Sequence, residues 1–93
     1  MKVYWILVKN TFFISFDRPL NLRGSDKTNR MKKFLYSYFN LDNRFPIIFV
    51  PIQTINQIAS KYRKQLSSGD IPEEKIREIT SFYKWKIAEI LNE

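Results

Sequence analysis

The first sixteen residues hold two short apolar runs separated by two polar positions. Residues 3–8 and 11–16 are rich in Val, Ile, Phe, Tyr and Trp, which are the residue types that favour β-strands. Lys9 and Asn10 lie between the runs, and Asn tolerates the positive φ angle of a tight turn. We therefore predict a β-hairpin. Phe13 falls on the face opposite its apolar neighbours, so both faces are expected to be partly covered.

Two later segments have apolar residues at helical spacing. The first segment predicts a helix over about residues 26–39. Its apolar stripe, at i, i+3, i+4 and i+7, is Met31, Phe34, Leu35 and Tyr38. The second helix is predicted to begin at a capping-box pattern, Thr54 with Gln57 three positions later. Its apolar side is formed by Ile55, Ile58, Ala59, Tyr62 and Leu66.

A third strand-like stretch covers residues 45–51 and is bounded by prolines. Pro46 and Pro51 have no backbone N–H to donate, so this strand is predicted to be short or at a sheet edge. Between the hairpin and the first helix, Pro19 and Gly24 indicate a loop. We expect residues 17–30 to form a basic loop that becomes ordered on binding.

The C-terminal third of the chain predicts one more helix. Residues 67–69, Ser-Ser-Gly, are expected to end the second helix, and Asp70 with Glu73 repeats a capping pattern. Pro72 is compatible with the first turn of a last helix that runs to about residue 91. The chain is thus predicted to be a single α+β domain, residues 1–93. Its small antiparallel sheet would consist of the N-terminal hairpin plus a short third strand, packed by two or three helices.

The composition lacks the side chains that carry most enzyme chemistry. The 93 residues include no His and no Cys, so there is no side chain with an unperturbed pKa near neutrality and no thiolate nucleophile. Three carboxylates at the start of the last helix complement its dipole: Glu73, Glu74 and Glu78. We expect a protein that is not an enzyme, with no metal, no cofactor and no small-molecule substrate.

The charge is strongly positive and unevenly distributed. The net charge is +7, and residues 18–66 hold ten basic and two acidic side chains. Tyr, Phe and Asn are interleaved with them, a pattern typical of nucleic-acid binding. We predict that phosphates are neutralised by Arg18, Arg23, Lys27, Arg30, Lys32, Lys33, Lys61, Arg63 and Lys64.

The charge pattern leaves other interpretations open. A basic surface also attracts an anionic membrane or an acidic protein, or serves only for solvation. A helix that reads duplex DNA would indicate a small viral or plasmid-borne regulator. A small ribonuclease or toxin built on Arg, Lys, Tyr and Glu needs no His. The apolar run of residues 3–8 is too short to cross a bilayer, so we expect a soluble protein without a membrane partner.

Three segments carry a resemblance to a known family. They are the aromatic opening strand with its Lys9-Asn10 turn and second strand, the Phe49-Val50-Pro51 stretch with the helix after it, and Ile71-Pro72-Glu73-Glu74 before the last helix. In this order they resemble the plastid-specific ribosomal protein three family of chloroplasts and cyanobacteria. The resemblance implies a structural protein of the chloroplast small ribosomal subunit. Such a protein would lie in the stroma, or otherwise in the cytoplasm, and bind ribosomal RNA and neighbouring ribosomal proteins.

Overall fold

A four-stranded sheet forms the centre of the computed structural model, which describes residues 1–18, 25–62 and 66–78. The elements in chain order are β1 (Lys2–Val8), β2 (Thr11–Phe16), α1 (Ser25–Tyr38), β3 (Ile47–Phe49), α2 (Ile52–Tyr62) and β4 (Ser67–Asp70). Residues 73–78 are helical and start a third helix. The α+β class, the hairpin and the short third strand are confirmed.

The sheet is mixed, not antiparallel throughout as predicted. Its strand order is β3-β2-β1-β4. β1 is antiparallel to both β2 and β4, whereas β3 runs parallel to β2. The reason is the crossover through α1, which returns the chain to the end of the sheet where β2 began, so that β3 starts in the same direction.

The predicted hairpin turn is confirmed at Lys9 and Asn10. Their φ angles are 48° and 61°, and Val8 pairs directly with Thr11. Two central residues with positive φ are the signature of the type I′ turn, whose twist matches that of the flanking strands.

The fourth strand overturns the prediction that residues 67–69 only break a helix. Ser68 and Gly69 pair with Tyr4 and Val3 of β1. Pairing with an apolar strand, and not intrinsic propensity, makes this segment extended. Gly69 also has a packing reason, because a Cβ atom there would lie 2.5 Å from Cε1 of the Phe39 ring.

Apolar side chains cover both faces of the sheet, as the position of Phe13 predicted. On one face α1 and the helical residues 73–78 pack over a buried cluster of Val3, Phe12, Ile14, Met31, Leu35, Ile47, Ile71 and Ile76. On the other face α2 packs through Ile55 against Ile6 and Val8, with Phe13 beside them. The two crossovers run in opposite directions along the sheet, so the right-handed rule places α1 and α2 on opposite faces.

The helix boundaries agree in part with the sequence prediction. α1 begins and ends within one residue of the predicted span. α2 begins earlier than the proposed capping box, because the Thr54 N–H donates to the Pro51 carbonyl at 2.9 Å and Thr54 therefore lies inside the first turn. Leu66 lies outside α2.

Pro72 precedes the last helix, and its carbonyl accepts a hydrogen bond from the Lys75 N–H at 3.1 Å. The predicted continuation of that helix beyond residue 78 is outside the described residues.

Candidate nucleic-acid interface

The predicted basic residues of α1 lie on the first face of the sheet. Met31 and Leu35 are fully buried and fix the orientation of this helix. The opposite side of α1 is in solvent. Arg30 and Lys33 are exposed, whereas Lys27 and Lys32 are half-buried.

The remaining predicted contacts do not join this group. Lys61 is exposed at the end of α2, and the sheet separates it from α1. Arg18 donates to Glu73 at 2.8 Å, which ties the end of the hairpin to the last helix. The other three predicted contacts lie outside the described residues: Arg23, Arg63 and Lys64. The basic residues of the middle segment are therefore divided between two sides of the molecule.

On the α2 side, a groove of about 380 Å³ lies between the hairpin turn and the end of α2. Its apolar part is formed by Val8, Phe13 and Ile58. Its polar part comes from Lys9, Thr11 and Lys61. We call this feature the Tyr62 groove; the described residues that line it are Val8, Lys9, Thr11, Phe13, Ile58, Lys61 and Tyr62.

Two ammonium groups lie over the ring of Tyr62. The Nζ atoms of Lys9 and Lys61 are 6.0 Å and 5.4 Å from the ring centroid. Both distances are within the range of cation–π attraction. The ring is half-buried and packs against the cluster on this face, whereas both lysines are exposed. The groove thus presents an aromatic ring with two positive charges close to it.

Lys9 occupies an unusual backbone conformation for its residue type. At φ 48° it lies in the left-handed region, where a residue other than Gly, Asn or Asp costs about 1–2 kcal/mol. Type I′ turns favour Asn or Gly at this position. A lysine there places its ammonium group at the Tyr62 groove, and such backbone outliers cluster at functional sites.

Ion pairs between described residues neutralise other basic side chains but not these lysines. Within the described part of the chain the ion pairs include Arg18–Glu73, Arg44–Asp42, Lys75–Glu78 and Arg77–Glu73. None of them uses Lys9 or Lys61. None of the described residues that line the Tyr62 groove is a carboxylate, and residues 43–69 include no Asp or Glu. The positive charge at the groove is therefore available to a ligand.

Arg44, by contrast, has a structural role in the connection between α1 and β3. Its hydrogen bonds to Asp42, from the side chain and from the backbone N–H, lower the pKa of Asp42 to about 2. Burial and then the charge of Asp42 raise the pKa of Tyr36. The Tyr36 hydroxyl donates to the carbonyl of Phe45 in the same connection.

Sequence reasoning named Lys61 but missed Lys9 and Tyr62. Lys9 was interpreted as a turn residue, and Tyr62 as part of the apolar stripe of α2. A lysine where a turn favours Asn or Gly was the available signal. The contact between residues 9 and 62 depends on α2 packing on the face of the hairpin, which no local pattern specifies.

Comparison of the chain with protein families, with characterised proteins and with solved structures finds no match. The resemblance to the plastid-specific ribosomal protein three family therefore stays a prediction. In the described ranges, no helix is long and apolar enough to cross a membrane. The same ranges hold no cluster of acidic, His or Cys residues suited to a metal ion.

Proposed function

We propose that this protein binds RNA without catalysing a reaction on it, by neutralising phosphates with lysines that form no ion pair within the described part of the chain. One observation carries the proposal: the Tyr62 groove combines two lysines with an aromatic ring, and its lining holds no carboxylate among the residues that the structure describes. Lys27, Lys32 and Lys33 of α1 add positive potential on the other face, also outside the ion pairs of the described residues. Such a field speeds the encounter with a polyanion.

The aromatic ring favours RNA over duplex DNA. In duplex DNA the base faces are stacked inside the helix, whereas RNA loops and bulges offer unstacked bases to aromatic side chains. Tyr62 can therefore contact RNA in a way that a plain lysine patch cannot. The family resemblance adds a specific proposal, ribosomal RNA of a chloroplast small subunit, with neighbouring ribosomal proteins as further contacts.

A competition experiment tests this function. A labelled fragment of small-subunit ribosomal RNA is bound by the protein at low salt and challenged with unlabelled RNA or duplex DNA in a gel-shift assay. We expect RNA to compete and duplex DNA to compete weakly. A clear preference for duplex DNA would favour the regulator interpretation and contradict the proposal.

Co-sedimentation tests the ribosomal part separately. The protein is expected to sediment with chloroplast small subunits at about 50 mM salt and to leave them as salt is raised several-fold, because phosphate contacts release counterions. RNA binding without ribosome association would keep the RNA proposal and overturn the ribosomal one. Cleavage of the RNA, lost on a single Glu or Arg substitution, would instead establish a ribonuclease.

A further inference from the structure

We infer that the Tyr62 groove is a pocket for one unpaired nucleotide of an RNA strand, with its base on the Tyr62 ring and its flanking phosphates on Lys9 and Lys61. This inference rests on the proposed RNA binding and names the part of the ligand that the groove recognises. It also divides the roles of the two basic regions, because α1 lies across the sheet and cannot contact the same nucleotide.

The size and lining of the groove match a nucleotide. A volume of about 380 Å³ is at the lower end of the range of pockets that hold small organic ligands. The apolar side chains Phe13 and Ile58 suit the face and edge of a base. The Thr11 hydroxyl, also in the lining, can donate or accept a hydrogen bond at a polar edge.

The positions of the charges match the phosphates on either side of such a base. Lys9 and Lys61 come from different elements, the hairpin turn and the end of α2, and both Nζ atoms lie within 6.0 Å of the same ring centroid. Both side chains are exposed and have rotatable stems, so each ammonium group can turn from the ring to a phosphate. When a base covers the ring, the two phosphates then replace the ring as partners of the lysines.

A purely structural role for these residues is the competing explanation. Lysine stems can shield an apolar surface while their ammonium groups stay in water. That role would show itself in thermal stability and not in a preference for one form of RNA. The two explanations therefore separate in a binding experiment that uses single-stranded and duplex forms of the same sequence.

The test measures fluorescence anisotropy of a labelled RNA strand of about 12 nucleotides, alone and annealed to its complement. We expect the full chain to bind the single strand more tightly. Tyr62→Leu, which keeps apolar bulk but removes the ring, should weaken single-strand binding by roughly 10-fold to 100-fold and abolish the preference. Tyr62→Phe keeps the ring and should bind like the natural chain. A free nucleoside monophosphate should bind far more weakly than the strand.

The controls keep every outcome informative. Lys2→Gln changes an exposed lysine at the opposite end of β1 and should leave the preference intact. Lys9→Gln and Lys61→Gln alter only exposed side chains, so they report on the groove even if Tyr62→Leu fails to fold. Unchanged binding in all groove variants, or a mononucleotide as tight as the strand, would overturn the inference and leave the proposed function standing. Failure of the natural chain to bind any RNA at low salt would overturn both.

Discussion

The α1 surface and the Tyr62 groove are both basic, but the fold gives them different surroundings. α1 presents four basic side chains along one helix that also carries Asp26 in its first turn. The described lining of the Tyr62 groove has two lysines and no carboxylate, and it adds an aromatic ring and a cavity. The difference shows that a count of charges along the sequence identifies a basic segment, whereas the packing of helices on the sheet decides where a ligand can be held.

The largest expected effect is the loss of the groove lysines. The double variant Lys9→Gln/Lys61→Gln should bind single-stranded RNA about 10-fold to 100-fold more weakly at low salt, because two phosphate contacts disappear. Anisotropy titration measures the change. If the double variant binds as tightly as the natural chain, the groove is not the contact surface.

A change on the α1 side of the sheet should alter stability and leave RNA affinity unchanged. Gly69→Ala places a Cβ atom 2.5 Å from the ring of Phe39, and the rearrangement should lower the free energy of unfolding by about 1–3 kcal/mol. Urea denaturation measures this free energy of unfolding. The neighbouring Ser68→Ala, at an exposed position of the same strand, is the matched control and should change stability by less than about 0.5 kcal/mol. If the two variants lowered the free energy of unfolding equally, the close packing of Gly69 against Phe39 would be contradicted.

Removing two α1 lysines should have a smaller effect on binding than removing the groove pair. Lys32→Gln/Lys33→Gln makes the same change in net charge, but on the face away from the groove. We expect a loss of affinity of less than about 3-fold at physiological salt, where the Debye length is about 8 Å. Anisotropy titrations of both double variants at this same salt concentration provide the comparison. A loss as large as that of the groove pair would mean that net charge, and not position, governs binding.

The smallest expected effect concerns the exposed pair of Asp42 and Arg44. The pKa of Asp42 is lowered from 3.8 to about 2 in the fold, chiefly by its hydrogen bonds with Arg44. Since the folded pKa is the lower one, the stabilisation is complete above pH 3.8 and is lost as the pH falls towards 2. Thermal melts of the natural chain and Asp42→Asn should differ slightly in Tm at neutral pH and converge near pH 2. A difference that persists at the lowest pH would rule out this carboxylate as its source.

The local features of the fold could be predicted from sequence, whereas the pairing of distant segments could not. The apolar runs on either side of Lys9 and Asn10 specify a hairpin because a two-residue turn fixes its register. The i, i+3, i+4 stripe specifies α1. β4 carries no such pattern, since Ser67, Ser68 and Gly69 become a strand only by pairing with β1. The direction of β3 likewise depends on the crossover that precedes it.

For the candidate site too, local features could be predicted from sequence, whereas contacts between distant residues could not. The sequence identified a basic middle segment and named Lys61, but it grouped that residue with α1, which the sheet separates from it. Lys9 lies outside the basic segment, and Tyr62 has the spacing of a core residue. Lys9 and Tyr62 are in contact because α2 packs over the hairpin. The two residues lie more than fifty positions apart along the chain.

The salt dependence of RNA binding tests the central claim most directly. The affinity of the natural chain and of Lys9→Gln/Lys61→Gln for the same single strand is measured between about 50 and 200 mM salt, where phosphate contacts dominate. We predict a linear loss of log affinity with log salt for the natural chain. The slope should be shallower by about 1.4 in the double variant, since each contact to a single strand contributes about 0.7. Identical slopes for the two proteins, or affinity that does not change with salt, would contradict RNA binding through the lysines of the Tyr62 groove.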